Sequence, residues 1–439
     1  MQFEEALDYL LSLGHETLTI KLGLRNTEML LDALGNPQEN FPSLQIAGTN
    51  GKGSTAAFLS SILQAAGIRS GVFTSPHLIS ITERIRIGGQ QISRDLFAQL
   101  TSEVRIAAET LVAQNKLETH PTFFEQVTAI ALLAFRMAKI ELAILETGLG
   151  GRLDATTCAQ AETVAITPIS LDHEEYLGNT IAEIAAEKAA IIRSGVTAVI
   201  APQSSEIRKV ILERCGLTNV TPLFDENRAT VEDATRDGRF CITLETPTNA
   251  YKRVWLGLRG RHQITNVSLA VMLAEVLGAK GYAIPRAAII RGIENAEHPG
   301  RLELVRGEPA LLFDGAHNPG GALALRRYLD EFVVRPLTLV FGSMREKKLE
   351  QIAETLFPVA DHLVLTEVDN PRTARLDVLE LLASATVDMD RITSTECVSE
   401  AIEVAFKRTP PRGLICFTGS LYLIGEAQKC LLLEKATAK

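Results

Sequence analysis

Residues 47–55, AGTNGKGST, have the composition of a phosphate-binding loop but not its strict spacing. The pattern G-x-x-x-x-G-K-[ST] would require Gly at position 46 and Ser or Thr at position 53, where this chain has Ile and Gly. The glycines let the backbone approach a phosphate closely, Lys52 supplies a positive charge, and the hydroxyls that end the motif can reach an oxygen or a metal ion. The alternative is a strand-to-helix turn whose glycines only serve packing, and we favour phosphate binding.

Four polar residues follow short apolar runs and therefore share a predicted position at strand ends. They are Ser75, Glu146, His173 and Asp314. In an open parallel sheet, ligands bind beyond the carboxyl ends of the strands, so these side chains should face one cleft. A serine, a glutamate and a histidine beside bound phosphates would suit Mg²⁺, although histidine is a less usual ligand of that ion. Each residue alone also has an ordinary structural explanation, as a helix cap or a turn residue.

Lys188 is the residue whose position is hardest to explain by packing. The apolar positions of its predicted helix are Ile181, Ile184, Ala185, Ile191 and Ile192. At about 100° per residue, Lys188 falls in the middle of this apolar stripe. Lysine is rarely buried without a partner, so the side chain either extends to solvent, pairs with a buried acid, or has a chemical role.

A parallel sheet would bring these residues together, and the chain has the matching alternation of short apolar runs and helical patterns. Strands are predicted at 43–48, 70–76, 141–148 and 162–170, and helices at 52–67, 123–139, 181–195, 265–278 and 285–296. The alternation indicates a mostly parallel sheet with helices on both faces. Residues 83–93 predict a hairpin that turns at Gly88 and Gly89. Residues 225–260 indicate a small antiparallel sheet.

The length of the chain, 439 residues, predicts two domains. Residues 295–303, NAEHPGRLE, contain the Pro and Gly of a boundary, and a second alternation of strands and helices follows them. We therefore predict an α/β fold. A P-loop-containing, mostly parallel sheet would form an N-terminal domain of residues 1–296, and residues 297–439 would form a second, Rossmann-like α/β domain.

Composition and charge argue against several classes of function. The formal net charge is −9, which argues against nucleic acid as a partner because duplex binders carry a basic face. The most apolar stretch, VTAIALLAF, is followed by Arg136 and Lys139, so no membrane span is predicted. The six cysteines form no CxxC pair, which favours reduced thiols in a cytoplasmic protein over a zinc cluster or a disulfide framework.

Ordered motifs along nearly the whole chain resemble those of the folylpolyglutamate synthase and dihydrofolate synthase family, a branch of the Mur ligase superfamily. The motifs are AGTNGKGST (47–55), FTSPHL (73–78), RIRI (84–87), TFFE (122–125), LETGLGGRLDAT (145–156), SLDHEEYLG (170–178), EIAAEKAAIIRSG (183–195), HPGRLE (298–303) and LFDGAHNP (312–319). In Mur-type ligases the phosphate loop has a sequence of its own that differs from the strict pattern. This accounts for the mismatches at positions 46 and 53. The chain departs from the family pattern after LDAT, where Thr157 and Cys158 replace an expected Asn.

The resemblance implies a role for each candidate residue. ATP phosphates would contact Gly48, Thr49, Asn50, Gly51, Lys52, Gly53, Ser54 and Thr55, with further nucleotide contacts from Asn266, Arg301 and Asp314. Mg²⁺ would be bound by Ser75, Glu146 and His173, and the pterin-side pocket would be formed by Thr122, Phe123, Phe124, Glu125, Leu153, Asp154 and Ala155. The catalytic residues would be Lys52, Lys188 and His317, the last of which would close over ATP from the second domain. Lys188 would be carbamylated by CO₂ and would help to place a second metal ion.

The reaction that the resemblance implies is ATP-dependent ligation of L-glutamate to a (tetrahydro)folate or folylpolyglutamate, and also to dihydropteroate. The γ-phosphate of ATP would activate the carboxylate as an acyl phosphate, which the neutral amine of glutamate would attack. Lys52 and the metal ions would stabilise charge on the transferring group, and domain closure would exclude water. The expected partners are small molecules only, with neither nucleic acid nor membrane, and the resemblance implies a monomer.

Two alternatives stay open at this stage. Another Mur-type ligase could join an amino acid to a cell-wall precursor. The TFFE, GLGGRLDAT and HPGRLE motifs favour the folate branch, and the loop begins at residue 47, where cell-wall ligases carry a further domain before it. A non-catalytic nucleotide-dependent switch would share the loop. The chain has no guanine-reading N-K-x-D motif, however, and Lys188 would have no purpose in a switch.

Overall fold

The computed structural model describes residues 1–14, 23–333, 335–345 and 347–437. Within them, an eight-stranded sheet comes first along the chain. Its strands are β1 (Ser43–Ala47), β2 (Ser70–Phe73), β3 (Ile85–Ile87), β4 (Gln90–Gln91), β5 (Leu142–Glu146), β6 (Thr163–Ile166), β7 (Thr197–Ile200) and β8 (Leu223–Phe224). Their spatial order is β4-β3-β2-β5-β1-β6-β7-β8. Neighbouring strands run parallel except in the pairs that involve β3, which forms the predicted hairpin with β4.

Helices cover both faces of this sheet. They are α1 (Phe3–Ser12), α2 (Arg25–Ala33), α3 (Lys52–Ala65), α4 (Arg94–Ala113), α5 (Phe123–Ala138), α6 (Glu174–Leu177), α7 (Ile181–Ala189), α8 (Ser205–Thr218), α9 (His262–Ala279) and α10 (Arg286–Glu294). Alternate residues of a strand point to opposite faces, and β5 shows this directly. Leu142 and Ile144 pack with α3, α9 and α10, whereas Ala143 and Leu145 pack with α1, α2, α4 and α5. The carboxyl end of β5 therefore opens between two packed helical layers.

Two further sheets follow along the chain. A three-stranded antiparallel sheet contains β9 (Arg228–Ala234), β10 (Phe240–Glu245) and β11 (Ala250–Trp255). A six-stranded sheet contains β12 (Glu303–Val305), β13 (Ala310–Asp314), β14 (Leu337–Phe341), β15 (His362–Thr366), β16 (Ile392–Thr395) and β17 (Leu414–Thr418), with α11 (Pro319–Phe332), α12 (Leu349–Leu356), α13 (Leu376–Ser384), α14 (Val398–Arg408) and α15 (Leu421–Thr437). Its order is β12-β13-β17-β14-β15-β16, and only β12 runs antiparallel to its neighbour.

The predicted two-domain α/β fold is confirmed. We call the part from residue 300 to the end of α15 the second domain. It has its own buried core, in which Leu339 and Phe341 of β14 pack against helices of the same part of the chain. The boundary at residues 296/297 lies between α10 and β12 and stays a prediction. Within the described ranges, no helix has both the length and the apolar character that crossing a bilayer requires.

The end of α7 differs from the prediction. The helix ends at Ala189 rather than at residue 195, so Ile191 and Ile192 belong to the turn that follows it. Both isoleucines are nevertheless fully buried. The backbone N–H of Arg152, in a loop, donates to the carbonyl of Glu187 at 3.0 Å. In a longer helix, that carbonyl would accept a hydrogen bond from the next turn. The apolar pattern thus marked burial correctly but overestimated the length of the helix.

Candidate active site

A cavity of about 520 Å³ lies between the carboxyl ends of the first sheet and the second domain. Its first wall is formed by the phosphate loop and by residues that follow β2, β5 and β6. The second wall includes residues after β13, the start of α11 and the segment 419–422 after β17. The cavity is therefore closed only when both domains are in place.

The phosphate loop connects β1 directly to α3, as the motif predicted. Gly51 precedes the first helical residue with a φ of 90°, a left-handed conformation that favours glycine. The ammonium group of Lys52 lies 3.2 Å from the carbonyl of Gly48 and 3.4 Å from that of Thr49, so the side chain folds back over the loop. The N-terminus of α3 lines the cavity, where its N–H groups can bind an anion.

The departure from the strict loop pattern at position 53 has a steric cause. A Cβ atom on Gly53 would lie 2.7 Å from Cε1 of His298 and 3.4 Å from Oε2 of Glu146. His298 is held in place by Ser54, whose Oγ lies 3.2 Å from Nδ1 of the imidazole. The amide of Gln263 donates to the same Oγ at 3.3 Å. The serine that the strict pattern demands would therefore displace buried neighbours.

Gly53→Ser, which restores the serine of the strict pattern at this position, is expected to weaken nucleotide binding about tenfold or more, because overpacking a closely packed position typically costs about 1–3 kcal/mol. Calorimetric titration with ADP would measure the change. Gly216→Ser is the matched control, since no atom lies within 4 Å of a Cβ at that position and its φ is not positive. Equal ADP affinity in the two variants would contradict the steric explanation.

The three predicted metal ligands, Ser75, Glu146 and His173, all line the cavity. The Glu146 carboxylate is 5% exposed and accepts a hydrogen bond from the backbone N–H of Ser75. Burial raises the pKa of Glu146, and the positive charges of Lys52 and Arg301 oppose that rise. His173 directly precedes α6 as its N-cap residue and has a φ of 52°. Burial lowers its pKa to about 3, so its imidazole is in the neutral form that binds metal ions.

This donor set fits a hard divalent cation that is shared with a bound phosphate. A carboxylate and a hydroxyl supply the oxygen atoms that Mg²⁺ prefers. Within the described part of the chain, no group of three His, Cys, Asp or Glu residues could hold a metal ion by itself. A magnesium ion here would therefore need phosphate oxygens and water as further ligands, which is how Mg²⁺ is usually held in nucleotide sites.

Lys188 lies in the last turn of α7, lines the cavity and is 4% exposed. Among the residues that the structure describes, none forms a hydrogen bond or an ion pair with its ammonium group. Burial and the charge of Lys52 lower the pKa of Lys188 to about 7, against the opposing effect of Asp172, Asp154 and Glu187. A substantial fraction of the amine is therefore neutral near pH 7, and the neutral form is the nucleophile.

The second domain contributes Arg301, Asp314 and His317 to the cavity. Asp314 ends β13 and accepts the N–H of Leu302 at 2.9 Å, and burial raises its pKa while Arg301 lowers it. Arg301 donates to the carbonyl of Gly315 at 3.1 Å. Burial and the charge of Lys347 lower the pKa of His317 to about 4. A cation, a carboxylate and a neutral imidazole thus face the phosphate loop from across the cavity.

The predicted pterin-side residues group at the start of α5 and in the GLGGRLDAT loop. Glu125 accepts the N–H of Thr122 at 2.7 Å and the hydroxyl of Thr27 at 3.0 Å. Asp154 accepts the N–H of Gly148 at 2.8 Å. Both acids therefore hold the walls of the pocket in shape, in addition to lining it.

Two predicted contact residues are placed differently. Thr55 is fully buried in the first turn of α3, and Phe123 packs in the core beneath α5. Neither side chain is among those that line the cavity, and their assignment to the nucleotide and pterin contacts stays a prediction. Helical geometry gives the reason, because neighbouring residues at the start of a helix point in different directions and only some can face a ligand.

Family models match most of the chain. The Mur ligase middle domain matches residues 46–274, and the glutamate ligase domain of Mur ligases matches residues 300–421. A dihydrofolate synthase/folylpolyglutamate synthase from Bacillus subtilis is 34% identical over 430 residues, covering 95% of this chain and 97% of that protein. The chain belongs to the folylpolyglutamate synthase and dihydrofolate synthase family. This confirms the resemblance that the sequence motifs indicated.

Three further relatives of this family are informative. The solved Mycobacterium tuberculosis folylpolyglutamate synthase complexed with ADP superposes with a TM-score of 0.90 at 33% identity, covering 97% of each chain. A probable bifunctional folylpolyglutamate synthase/dihydropteroate synthase from Halobacterium salinarum is 33% identical over 98% of this chain, but this chain spans only 51% of that protein. A similar relative from Haloferax volcanii is also about twice as long, with 50% of its length covered.

The folylpolyglutamate synthase motifs left several polar residues at or beside the cavity without a role. They include Asp172, His298, Asn318 and Lys347. Burial opposes ionisation of Asp172, but Lys347, His173 and His317 together outweigh it and lower the pKa of this carboxyl. Asp172, His298 and Asn318 lie inside the family motifs, so membership of a motif could have marked them as candidate site residues. Lys347 lies in the run REKK, which is typical of an exposed surface, and nothing in the sequence distinguishes it.

Proposed function

We propose that this chain is an ATP-dependent ligase that joins L-glutamate to a reduced folate or folylpolyglutamate, and also to dihydropteroate. One observation carries the proposal: the phosphate loop and the second-domain residues Arg301, Asp314 and His317 line a single cavity. Relatives named for this activity match the chain over nearly its whole length, and one was solved with ADP. We further propose that it acts as a monomer in the cytoplasm, on small molecules.

The phosphate loop would bind the phosphates of ATP at the N-terminus of α3. The γ-phosphoryl group passes to a carboxylate oxygen of the folate substrate, the bond to the ADP oxygen breaks, and an acyl phosphate results. The neutral amine of glutamate then attacks the acyl carbon, loses a proton, and inorganic phosphate leaves. Lys52 supplies positive charge close to the loop carbonyls, where it can stabilise the transferring phosphoryl group.

The acyl phosphate must be protected from water, and the two-domain cavity suits this need. Arg301, Asp314 and His317 all come from the second domain and face the loop of the first. Closure of the two domains would complete the site and exclude water at the same time. We propose His317 as a catalytic residue on the basis of this position.

Glu146, Ser75 and His173 would hold Mg²⁺ together with the nucleotide phosphates. When bound there, the ion would neutralise phosphate charge and favour the phosphoryl transfer. The buried carboxylate of Glu146 supports this role, because its burial raises its pKa and a nearby cation would favour its charged form. The N–H of Ser75 orients that carboxylate.

We propose that Lys188 is carbamylated. The neutral amine attacks CO₂, forms a carbon–nitrogen bond and releases a proton, so the uncharged side chain becomes a carbamate anion. The site supports this step because Lys188 is buried without a described partner and burial lowers its pKa to about 7. Lys52 lies close enough to influence that pKa, so an anion at position 188 would gain a positive neighbour.

Product analysis tests the proposed function. The purified protein would be incubated with ATP, Mg²⁺ and L-glutamate, with dihydropteroate or tetrahydrofolate as the acceptor, and phosphate release would be followed together with product mass. We expect glutamate addition to both acceptors, and no phosphate release when the acceptor is left out. Addition to only one acceptor would narrow the substrate to that compound. Addition to a cell-wall nucleotide precursor, and to neither folate compound, would overturn the proposal.

A further inference from the structure

Asp172 connects the two domains through a buried cluster of polar contacts. It lies between β6 and α6, and its side chain is 8% exposed. Lys347 of the second domain donates to Oδ1 at 2.8 Å, and Asn318 donates to Oδ2 at 3.0 Å. Nε2 of His317 lies 3.7 Å from Oδ2. Three side chains from the second domain therefore converge on one carboxylate of the first.

Asn318 extends this cluster to the phosphate loop. Its Oδ1 accepts the N–H of Gly321 at 2.8 Å and so caps α11. Its Nδ2 donates to Asp172 and also to Oδ1 of Asn50, in the phosphate loop, at 3.0 Å. An amide nitrogen has two hydrogens, so both are used in contacts with the first domain. The start of α11, and with it His317, is thereby fixed relative to the loop.

Among the described residues, the other ion pairs between Lys or Arg and an acid that join the domains are more exposed and should hold the domains less firmly. Lys348 and Glu174 lie 2.7 Å apart, but their side chains are 33% and 27% exposed. Arg261 and Glu331 form a second pair with exposures of 54% and 33%. Exposed pairs contribute little because water screens them, whereas breaking a buried pair leaves an uncompensated charge. The contacts of Asp172 should therefore dominate the electrostatic attachment of the second domain.

We propose that Asp172 is the positioning residue that holds the second domain closed over the phosphate loop and places Lys347 and His317 at the transferring phosphoryl group. This inference rests on the proposed ligase function. Asp172 acts through the residues that it holds, and its carboxylate does not need to touch the substrate. The amide nitrogen of Asn318 donates to both Asp172 and Asn50. The conformation of the phosphate loop and the closed position of the second domain therefore depend on each other.

Asp172→Asn keeps the shape of the side chain but removes its charge and turns one acceptor into a donor that faces Lys347 or Asn318. We expect kcat to fall about 100-fold, since a displacement of about 1 Å can have that effect, while KM for ATP stays within about threefold. Lys347→Met should cause a similar loss. The double variant should be no worse than the poorer single one, because both changes break the same contact.

Glu174→Gln is the matched control, because it removes the neighbouring ion pair, which is less buried than that of Asp172. We expect its kcat to stay within about twofold of the unmodified protein. The Mg²⁺ concentration for half-maximal activity should not change in Asp172→Asn. A marked increase in that Mg²⁺ concentration would mean that Asp172 is a direct metal ligand and would overturn the positioning role.

A second measurement does not depend on turnover. Small-angle X-ray scattering with a non-hydrolysable ATP analogue should show a larger radius of gyration for Asp172→Asn and Lys347→Met than for Glu174→Gln. Thermal melting and ADP affinity would show that the variants are folded. If both variants scatter and turn over like the control, the inference is wrong. If the unmodified protein adds glutamate to no folate compound but the scattering difference is present, the proposed function fails and the closure role of Asp172 stands.

Discussion

Lys188→Met is expected to reduce turnover about 1,000-fold while ADP binding stays intact, because the buried amine is needed in its carbamylated form and not for binding. Lys188 lies at the cavity without a described partner, and burial followed by the charge of Lys52 brings its pKa to about 7. The comparison is Lys209→Met, a lysine of the next helix whose side chain is 79% exposed. Steady-state turnover and ADP titration of both variants give the result.

The role of Lys188 also has a pH and CO₂ signature. CO₂ reacts only with the neutral amine, and a group with a pKa near 7 is mostly neutral above that pH and protonated below it. Carbamylation and turnover should therefore fall as the pH decreases through about 7. Removal of dissolved CO₂ should lower activity, and bicarbonate should restore it. Incorporation of isotopically labelled bicarbonate that is equal in Lys188→Met and in the unmodified protein would show that Lys188 is not the modified residue.

Lys52→Met is expected to lower kcat about 100- to 1,000-fold, in the range found when a preorganised charge-stabilising donor is removed. Lys52 lies over the loop carbonyls of Gly48 and Thr49, which places its charge where the phosphates of a nucleotide would bind. Phosphate release under saturating ATP, with Lys209→Met as the control again, separates this loss from weaker nucleotide binding. Turnover within about threefold of the unmodified protein would remove Lys52 from the catalytic set.

Lys52→Met should also raise the pKa of Lys188. Lys52 is one of the charges that lower the pKa of Lys188, so its removal should raise that pKa and leave a larger fraction of the amine protonated at neutral pH. We therefore expect less labelled bicarbonate to be incorporated into Lys52→Met at pH 7, with partial recovery at higher pH. Incorporation that is unchanged at every pH would mean that the two lysines are not electrostatically coupled.

Local pattern was sufficient for the fold and for most of the candidate site. A phosphate loop between an apolar run and a helical pattern can be read from a few neighbouring residues, and parallel strands all end at the same edge of a sheet. Ser75, Glu146, His173 and Asp314 could therefore be assigned to one cleft from their places after apolar runs, and all four line it. Lys188 falls in the apolar stripe of its predicted helix, and the structure places it in a buried position.

Local pattern failed where a side chain's surroundings come from distant parts of the chain. His298 leaves no room for a side chain at position 53, although the two residues are 245 positions apart in the sequence. The histidine contacts Ser54, which is 244 positions away. Asp172 meets Asn318 and Lys347 across separations of 146 and 175 residues. Thr55 and Phe123 were assigned to ligands because they belong to motifs, yet the turn of each helix directs them into the core.

Apolar periodicity and short motifs involve residues that are close together in the sequence. The alternation of strands and helices, the phosphate loop and the strand-end residues can therefore be inferred from the amino-acid order alone. Which of those residues are buried together, how far burial and neighbouring charges move the pKa of Lys188, and which carboxylate joins the two domains depend on packing between segments far apart in the chain. Desolvation and Coulomb interactions act over a few ångströms in space and not along the sequence, so only the tertiary structure could decide them.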